Sequence, residues 1–122
     1  MEGIGRFRST VVDCPDPQGL GAFYSRLLGW PIIVEEDDWV VVSDGGSPDR
    51  LAFQLVRDYR PPTWPEGERP QQLHLDVQVD DLDQAEERVL ELGATKAAVQ
   101  PSEDGSFRGF LDPAGHPFCL TI

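Results

Sequence analysis

Residues 73–80 read LHLDVQVD. Leu73, Leu75, Val77 and Val79 alternate with His74, Asp76, Gln78 and Asp80, a strict period of two. Successive side chains of a strand point to opposite faces, so the stretch predicts a β-strand with one apolar and one polar face. The polar face of such a sheet ordinarily meets water. The alternative is a curved sheet whose polar face lines a cup, with His74 and Asp76 pointing inward.

Working outward, residues 58–70 (DYRPPTWPEGERP) contain four prolines, which exclude regular structure and predict a connector between two halves. Tyr59 and Trp64 are its apolar anchors. After the central strand, Asp81 is placed to cap a helix through Leu82, Ala85, Val89, Leu90 and Leu92, ended by Gly93. Short strands at 95–99 and 107–111 (FRGFL), a DPAG hairpin and a strand at 117–122 (PFCLTI) follow. The first half has the same order. Its strand at 7–14 (FRSTVVDC) is broken by PDP, with Asp16 as N-cap and Pro17 at the first helical position. Leu20, Phe23, Tyr24, Leu27 and Leu28 recur at helical spacing up to Gly29. Strands at 31–35, 39–43 and 51–56 (LAFQLV) complete the half, the last two joined by the turn DGGSPD.

Each half is therefore strand, helix and three strands. Stepping back from His74, Val77, Val79 and Asp81 to Ser9, Val12, Cys14 and Asp16 keeps one offset of 65 residues, so strand and cap repeat in register. One βαβββ unit cannot cover its own sheet. The expectation is an α+β fold in which two tandem βαβββ modules, about 7–57 and 71–122 of one domain over 1–122, form a curved, cup-shaped sheet of eight strands. On that expectation the polar face of LHLDVQVD looks inward.

The chain has 122 residues, enough for one domain with a real core. Its formal net charge of -12 repels phosphate backbones and anionic lipid heads, so nucleic acid and membrane surfaces are excluded as expected partners. No apolar run reaches the roughly 18 residues that a bilayer span requires. The start, MEGIGRFRST, lacks the apolar core of a signal peptide. Cys14 and Cys119 are too few for a disulfide framework and read as small buried hydrophobes, which places the chain in the cytoplasm.

The duplicated halves, the helix end FYSRLLGW and the C-terminal DPAGHPFCL resemble the vicinal oxygen chelate superfamily, which holds glyoxalase I, bleomycin-resistance proteins and extradiol dioxygenases. The resemblance covers roughly residues 7–122 and is nearest to small glyoxalase-like proteins in which a strand beginning HLD follows a Pro-rich loop. It implies paired modules, a cup between them and a homodimer. Metal-dependent members place ligands at positions that correspond here to Ser9, Gln54, His74 and Cys119. Only His74 is the residue a glyoxalase uses there, and Cys119 replaces the glutamate that also serves as catalytic base. Nickel, zinc or iron in such sites needs at least three good ligands, so no metal or other cofactor is expected.

The expected function is metal-independent binding of a small molecule, in the manner of the bleomycin-resistance proteins, lined by Ser9, Gln54, His74, Asp76 and Cys119. No catalytic residue is assigned. A Ser9–His74–Asp76 triad can be written, but no nucleophile-elbow sequence surrounds Ser9. The competing expectation is a lyase, isomerase or dioxygenase with a reduced metal site around His74. Residues i and i+2 of a strand lie about 7 Å apart, so direct pairing of His74 with Asp76 is not dictated. His116 is expected in an exposed turn, and Trp30 in the core. Trp39, Trp64 and Phe107 are candidates for an aromatic wall, with core packing the plainer role for Trp39 and Phe107.

Overall fold

The computed structural model describes residues 1–45 and 50–122; residues 46–49, most of the expected DGGSPD turn, lie outside the described residues. The chain divides into two compact units, Met1–Tyr59 and Arg60–Ile122.

The first unit runs β1 (Thr10–Cys14), α1 (Pro17–Leu28), β2 (Ile32–Glu35), β3 (Trp39–Ser43) and β4 (Arg50–Leu55). Helix α1 starts where the chain can satisfy its orphan amides: the Asp16 carboxylate accepts from the Gly19 amide at 3.1 Å. It stops at Gly29, whose φ of 72° is the left-handed conformation that glycine adopts without penalty. The strand order is β1-β4-β3-β2, with β1 and β4 parallel and the other pairs antiparallel. Leu20, Phe23 and Tyr24 are buried on the helix side, and Tyr24 stacks on Phe53 of β4 at a centroid distance of 5.5 Å. Strand alternation sends Val11, Asp13, Trp39, Arg50, Ala52 and Gln54 to the opposite face.

The second unit repeats the plan with β5 (Leu75–Gln78), α2 (Leu82–Glu91), β6 (Thr95–Lys96), β7 (Phe107–Leu111) and β8 (Pro117–Thr121). Asp81 caps α2 by accepting from the Gln84 amide at 3.0 Å, and the sheet order is β5-β8-β7-β6, the same permutation as in the first unit. Its core is Leu82, Val89, Phe110, Phe118 and Leu120. Arg108 of β7 ties α2 to the sheet through Asp83 at 2.8 Å and Glu86 at 3.1 Å. The duplication and the α+β fold are thus as the sequence predicts, with the eight strands divided into two four-stranded sheets.

Several elements are shorter than the alternation predicts, for identifiable reasons. Thr121 turns its carbonyl toward β5, accepting from the Val79 amide at 2.7 Å. Residues two and four places back, Cys119 and Pro117, face β5 as well. Proline has no N–H to donate, so the ladder ends there and β5 begins at Leu75 rather than Leu73. Leu73 consequently lies outside the strand and is exposed, not on its buried face. Strand β6 ends at Lys96 because the Gln100 side chain takes over the pairing. Its amide nitrogen donates to the carbonyls of Ala97 and Gly109, and its oxygen accepts from the Gly109 amide at 2.9 Å. The Pro-rich segment is ordered locally by a Thr63–Pro70 bridge and an Arg69 side chain bonded to the Pro61 carbonyl. Trp30 is half-buried rather than in the core. His116 is half-buried too, and its amide donates to the buried Asp112 carboxylate at 3.0 Å, so the hairpin is built around Asp112 rather than open to solvent.

Gly21 is where α1 touches the sheet. A Cβ there would stand 2.5 Å from Cγ1 of Val40, a stiff and fully buried side chain. Gly21→Ala is therefore expected to destabilise the protein by about 1–3 kcal/mol through overpacking, despite the ~1 kcal/mol gain in helix propensity. A thermal melt reads the effect as a lower midpoint.

Candidate ligand-binding site

In the second unit, Asp76 of β5 stands directly opposite Cys119 of β8, and Cys119 opposite Gly109 of β7. The row lies on the sheet face that α2 does not cover, since Phe118, Leu120 and Phe110 occupy the other face. Where the ladder stops, His74 is released from strand geometry. Its Nε2 reaches Oδ1 of Asp76 at 3.2 Å, so the two side chains close the roughly 7 Å that separates alternate strand positions. The pair is exposed, so its contribution to stability is small. Its effect is to fix an imidazole beside a carboxylate.

The Cys119 thiol completes the cluster. One donor atom from each of His74, Asp76 and Cys119 lies within 4.8 Å of the others. Cys119 is buried, and burial together with the Asp76 charge pushes its thiol above the ordinary cysteine range. At neutral pH the sulfur therefore keeps its proton. A protonated thiol is a poor nucleophile and a poor metal ligand. It remains a weak hydrogen-bond donor and a soft apolar contact.

Trp64 borders the same face. A Cβ on Gly109 would meet Cζ2 of Trp64 at 3.8 Å, which places the indole over the row that holds Cys119 one strand spacing (about 4.8 Å) away. The indole N–H and Oε1 of Gln71 are buried and have no hydrogen-bond partner among the described residues. Buried polar groups are ordinarily satisfied, which sets these two apart. The aromatic and Pro-rich composition drew attention to Trp64, but its contact with Gly109 depends on a fold-back that no periodicity encodes.

Ser9 and Gln54 belong to the first unit. Ser9 is half-buried immediately before β1. Gln54 sits between Asp13 of β1 and Trp39 of β3, and its amide donates to Asp13 at 2.7 Å. The first-unit residue that matches Cys119 by register is Ala52, opposite Val11 as Cys119 is opposite Asp76. An alanine offers no donor. The family's four-ligand set therefore does not fit this chain. The remaining set, His74 with Asp76 and Cys119, would have to close from 4.8 Å to the roughly 3.5 Å ligand spacing of tetrahedral zinc and release the thiol proton. Asp13 is the partner that sequence reasoning missed here; its position opposite Gln54 follows from the parallel register alone.

Residues 9–121 match the family described as a glyoxalase-like domain, and the chain belongs to that family. No curated protein matches the sequence. Among solved structures, a possible glyoxalase from Bacillus cereus superposes with a TM-score of 0.70 at 13% identity, covering 98% of this chain and 100% of that one. TnmS3, an antibiotic binding protein from Streptomyces sp. CB03234, gives a TM-score of 0.60 at 23% identity over 99% of this chain and 98% of its own. A bleomycin-binding protein from Streptomyces verticillus, solved with copper(II)-bleomycin, gives 0.59 at 18% identity over 100% and 98%. At these identities the likeness establishes the glyoxalase/bleomycin-resistance/dioxygenase fold. Among the described residues, no helix is long and apolar enough to cross a membrane.

Because burial is the larger cause of the Cys119 shift and Asp76 the lesser, Asp76→Asn is expected to lower the thiol pKa without restoring it to the ordinary range. In a Cys14→Ser background, alkylation by iodoacetamide should be slow below pH 9 and several-fold faster in the Asp76→Asn variant. Equal rates in the two proteins would show that the carboxylate does not act on the sulfur.

Proposed function

We propose that the protein binds a small molecule without a metal and without bond-making chemistry, holding it in a cup between the two modules of a single domain. The lining we assign is Ser9, Gln54, His74, Asp76 and Cys119, with Trp64 as an aromatic contact. The observation that carries the reading is the His74–Asp76–Cys119 cluster. It combines an imidazole, a carboxylate and a thiol held protonated, which suits hydrogen bonding and shape recognition better than nucleophilic or metal chemistry. The antibiotic-binding neighbours support this class of function, and the free state of both cysteines is consistent with a reducing, cytoplasmic setting. A homodimer is proposed from the family resemblance; sedimentation returning a monomer at micromolar concentration would remove that part.

The second reading is an enzyme with a reduced metal site, a lyase, isomerase or dioxygenase. The observation favouring it is the same cluster, which supplies the three protein ligands that an open zinc site needs. The two readings separate by measurement. A thermal-shift screen of a small-molecule library that includes bleomycin should give stabilising compounds whose affinity falls about tenfold in His74→Ala, the loss of one good hydrogen bond. Identical responses of parent and variant would remove His74 from the site. Stoichiometric zinc, nickel or iron in protein purified without added metal would establish the enzyme reading instead.

A further inference from the structure

The first unit carries a feature that the proposed site does not use. An open cavity of about 1040 Å³ is lined by residues 2–8 and Arg50. Three of its eight lining residues are arginines, Arg6, Arg8 and Arg50, against a single carboxylate, Glu2. The whole chain has only 10 lysines and arginines against 22 acidic residues. A cavity wall with three arginines and one carboxylate is opposite to that overall balance. Arg50 opens β4 on the face away from α1, alongside Ala52 and Gln54. Its Nε is buried and has no hydrogen-bond acceptor among the described residues. A buried donor left unmade is unfavourable, and one attached to a permanent cation calls for an anion above all.

We propose that this cavity is an oxyanion site, in which Arg50 supplies a fixed guanidinium donor and Arg8 and Arg6 complete the positive wall. A planar guanidinium pairs with carboxylate or phosphate through two parallel hydrogen bonds, and Nε–H is one of the donors in that fork. The cavity is far larger than one oxyanion, and Ile4 and Phe7 line it beside the arginines. The ligand is therefore an organic anion, a carboxylate or phosphate carried on an apolar group. The net charge of -12 opposes such a ligand at long range, but that field is screened over about 8–10 Å in ordinary salt, whereas the arginines act at contact. The oxyanion site uses none of the residues assigned to the proposed lining, and all of its own lie in the first unit.

Isothermal titration of the full chain with phenyl phosphate, benzoate and inorganic phosphate tests it, in fixed chloride. At least one aromatic anion should bind saturably, and more tightly than inorganic phosphate; binding of phenyl phosphate alone assigns a phosphate ligand, and of benzoate alone a carboxylate. Arg50→Gln should weaken that binding by about tenfold, as expected for one charged hydrogen bond, with Arg50→Lys intermediate. Arg8→Gln, at an exposed position, should weaken it several-fold and carries the test should Arg50→Gln fail to melt as a folded protein. Arg88→Gln, which removes an exposed arginine of α2 outside the cavity, should bind the anion as the parent does. No saturation by any of the three anions, an unchanged affinity in Arg8→Gln or in folded Arg50→Gln, or an equal loss of binding in Arg88→Gln would overturn the proposal.

Discussion

The arrangement of the second unit depends on the parallel pairing of its first and last strands. That register puts Asp76 across from Cys119, and it puts Pro117 where the next ladder bond would form. A proline cannot make that bond, so the chain before Leu75 is free of the sheet. Freed, His74 turns its ring onto Asp76 at 3.2 Å. The loss of one backbone donor thus leaves His74, which alternation places on the same face as Asp76, outside the ladder and paired with that carboxylate. In the first unit β1 and β4 are paired in the same sense, but Val11 and Ala52 occupy the matching positions and no polar cluster results. The two units share a backbone plan and differ in what they display on it.

Electrostatics then limits what the cluster can do. Cys119 is enclosed on a sheet with Asp76 as its neighbour, and both the enclosure and the negative charge oppose thiolate formation. The upward shift keeps the neutral thiol the favoured form at neutral pH. Carboxylate and thiol together would attract a soft divalent cation only by giving up a proton that the site is built to retain. Hydrogen bonding by the same three side chains needs no such proton loss. Trp64 adds an indole whose N–H is buried without a partner among the described residues. The polar row, the aromatic border and the protonated sulfur are compatible with recognition of a ligand by shape and donors.

The fold was legible in the letters because its signals are local and repeated. Asp16 with Pro17, Asp81, Gly29 and the apolar spacing of the two helices state their roles within a few residues. Strand ends were less legible, because a strand stops where its partner fails, and alternation within one strand does not show what its partner offers. Pro117 ends one ladder, and the Gln100 amide replaces another. Of the residues that cluster in the second unit, His74 and Asp76 were visible from alternation, and Cys119 from its correspondence with a family ligand position. The pairing of Gln54 with Asp13 was not visible, nor was the match of Ala52 to Cys119, since both depend on register between strands about 40 residues apart in sequence, as for Asp13 and Gln54. Arg50 escaped notice for a related reason. A single arginine at a strand start acquires meaning only when the N-terminal segment is laid beside it.

Charge placement shows how far the two halves have diverged. In the second unit two cations are committed to structure: Arg108 binds Asp83 and Glu86, and Lys96 binds Glu86, so helix and sheet are held by one small network. Arg108 is accordingly held above the ordinary arginine range, chiefly by its bond to Asp83. In the first unit, α1 is seated without such a network, by apolar contact of Leu20, Phe23 and Tyr24 and by the closeness that Gly21 permits against Val40. Among the described residues the buried Nε of Arg50 meets no acceptor, while its backbone is held in β4 opposite Ser43. A cation that the fold positions and does not consume is the circumstance in which an arginine can recognise a ligand, because its ordering has been met by the strand before the ligand arrives.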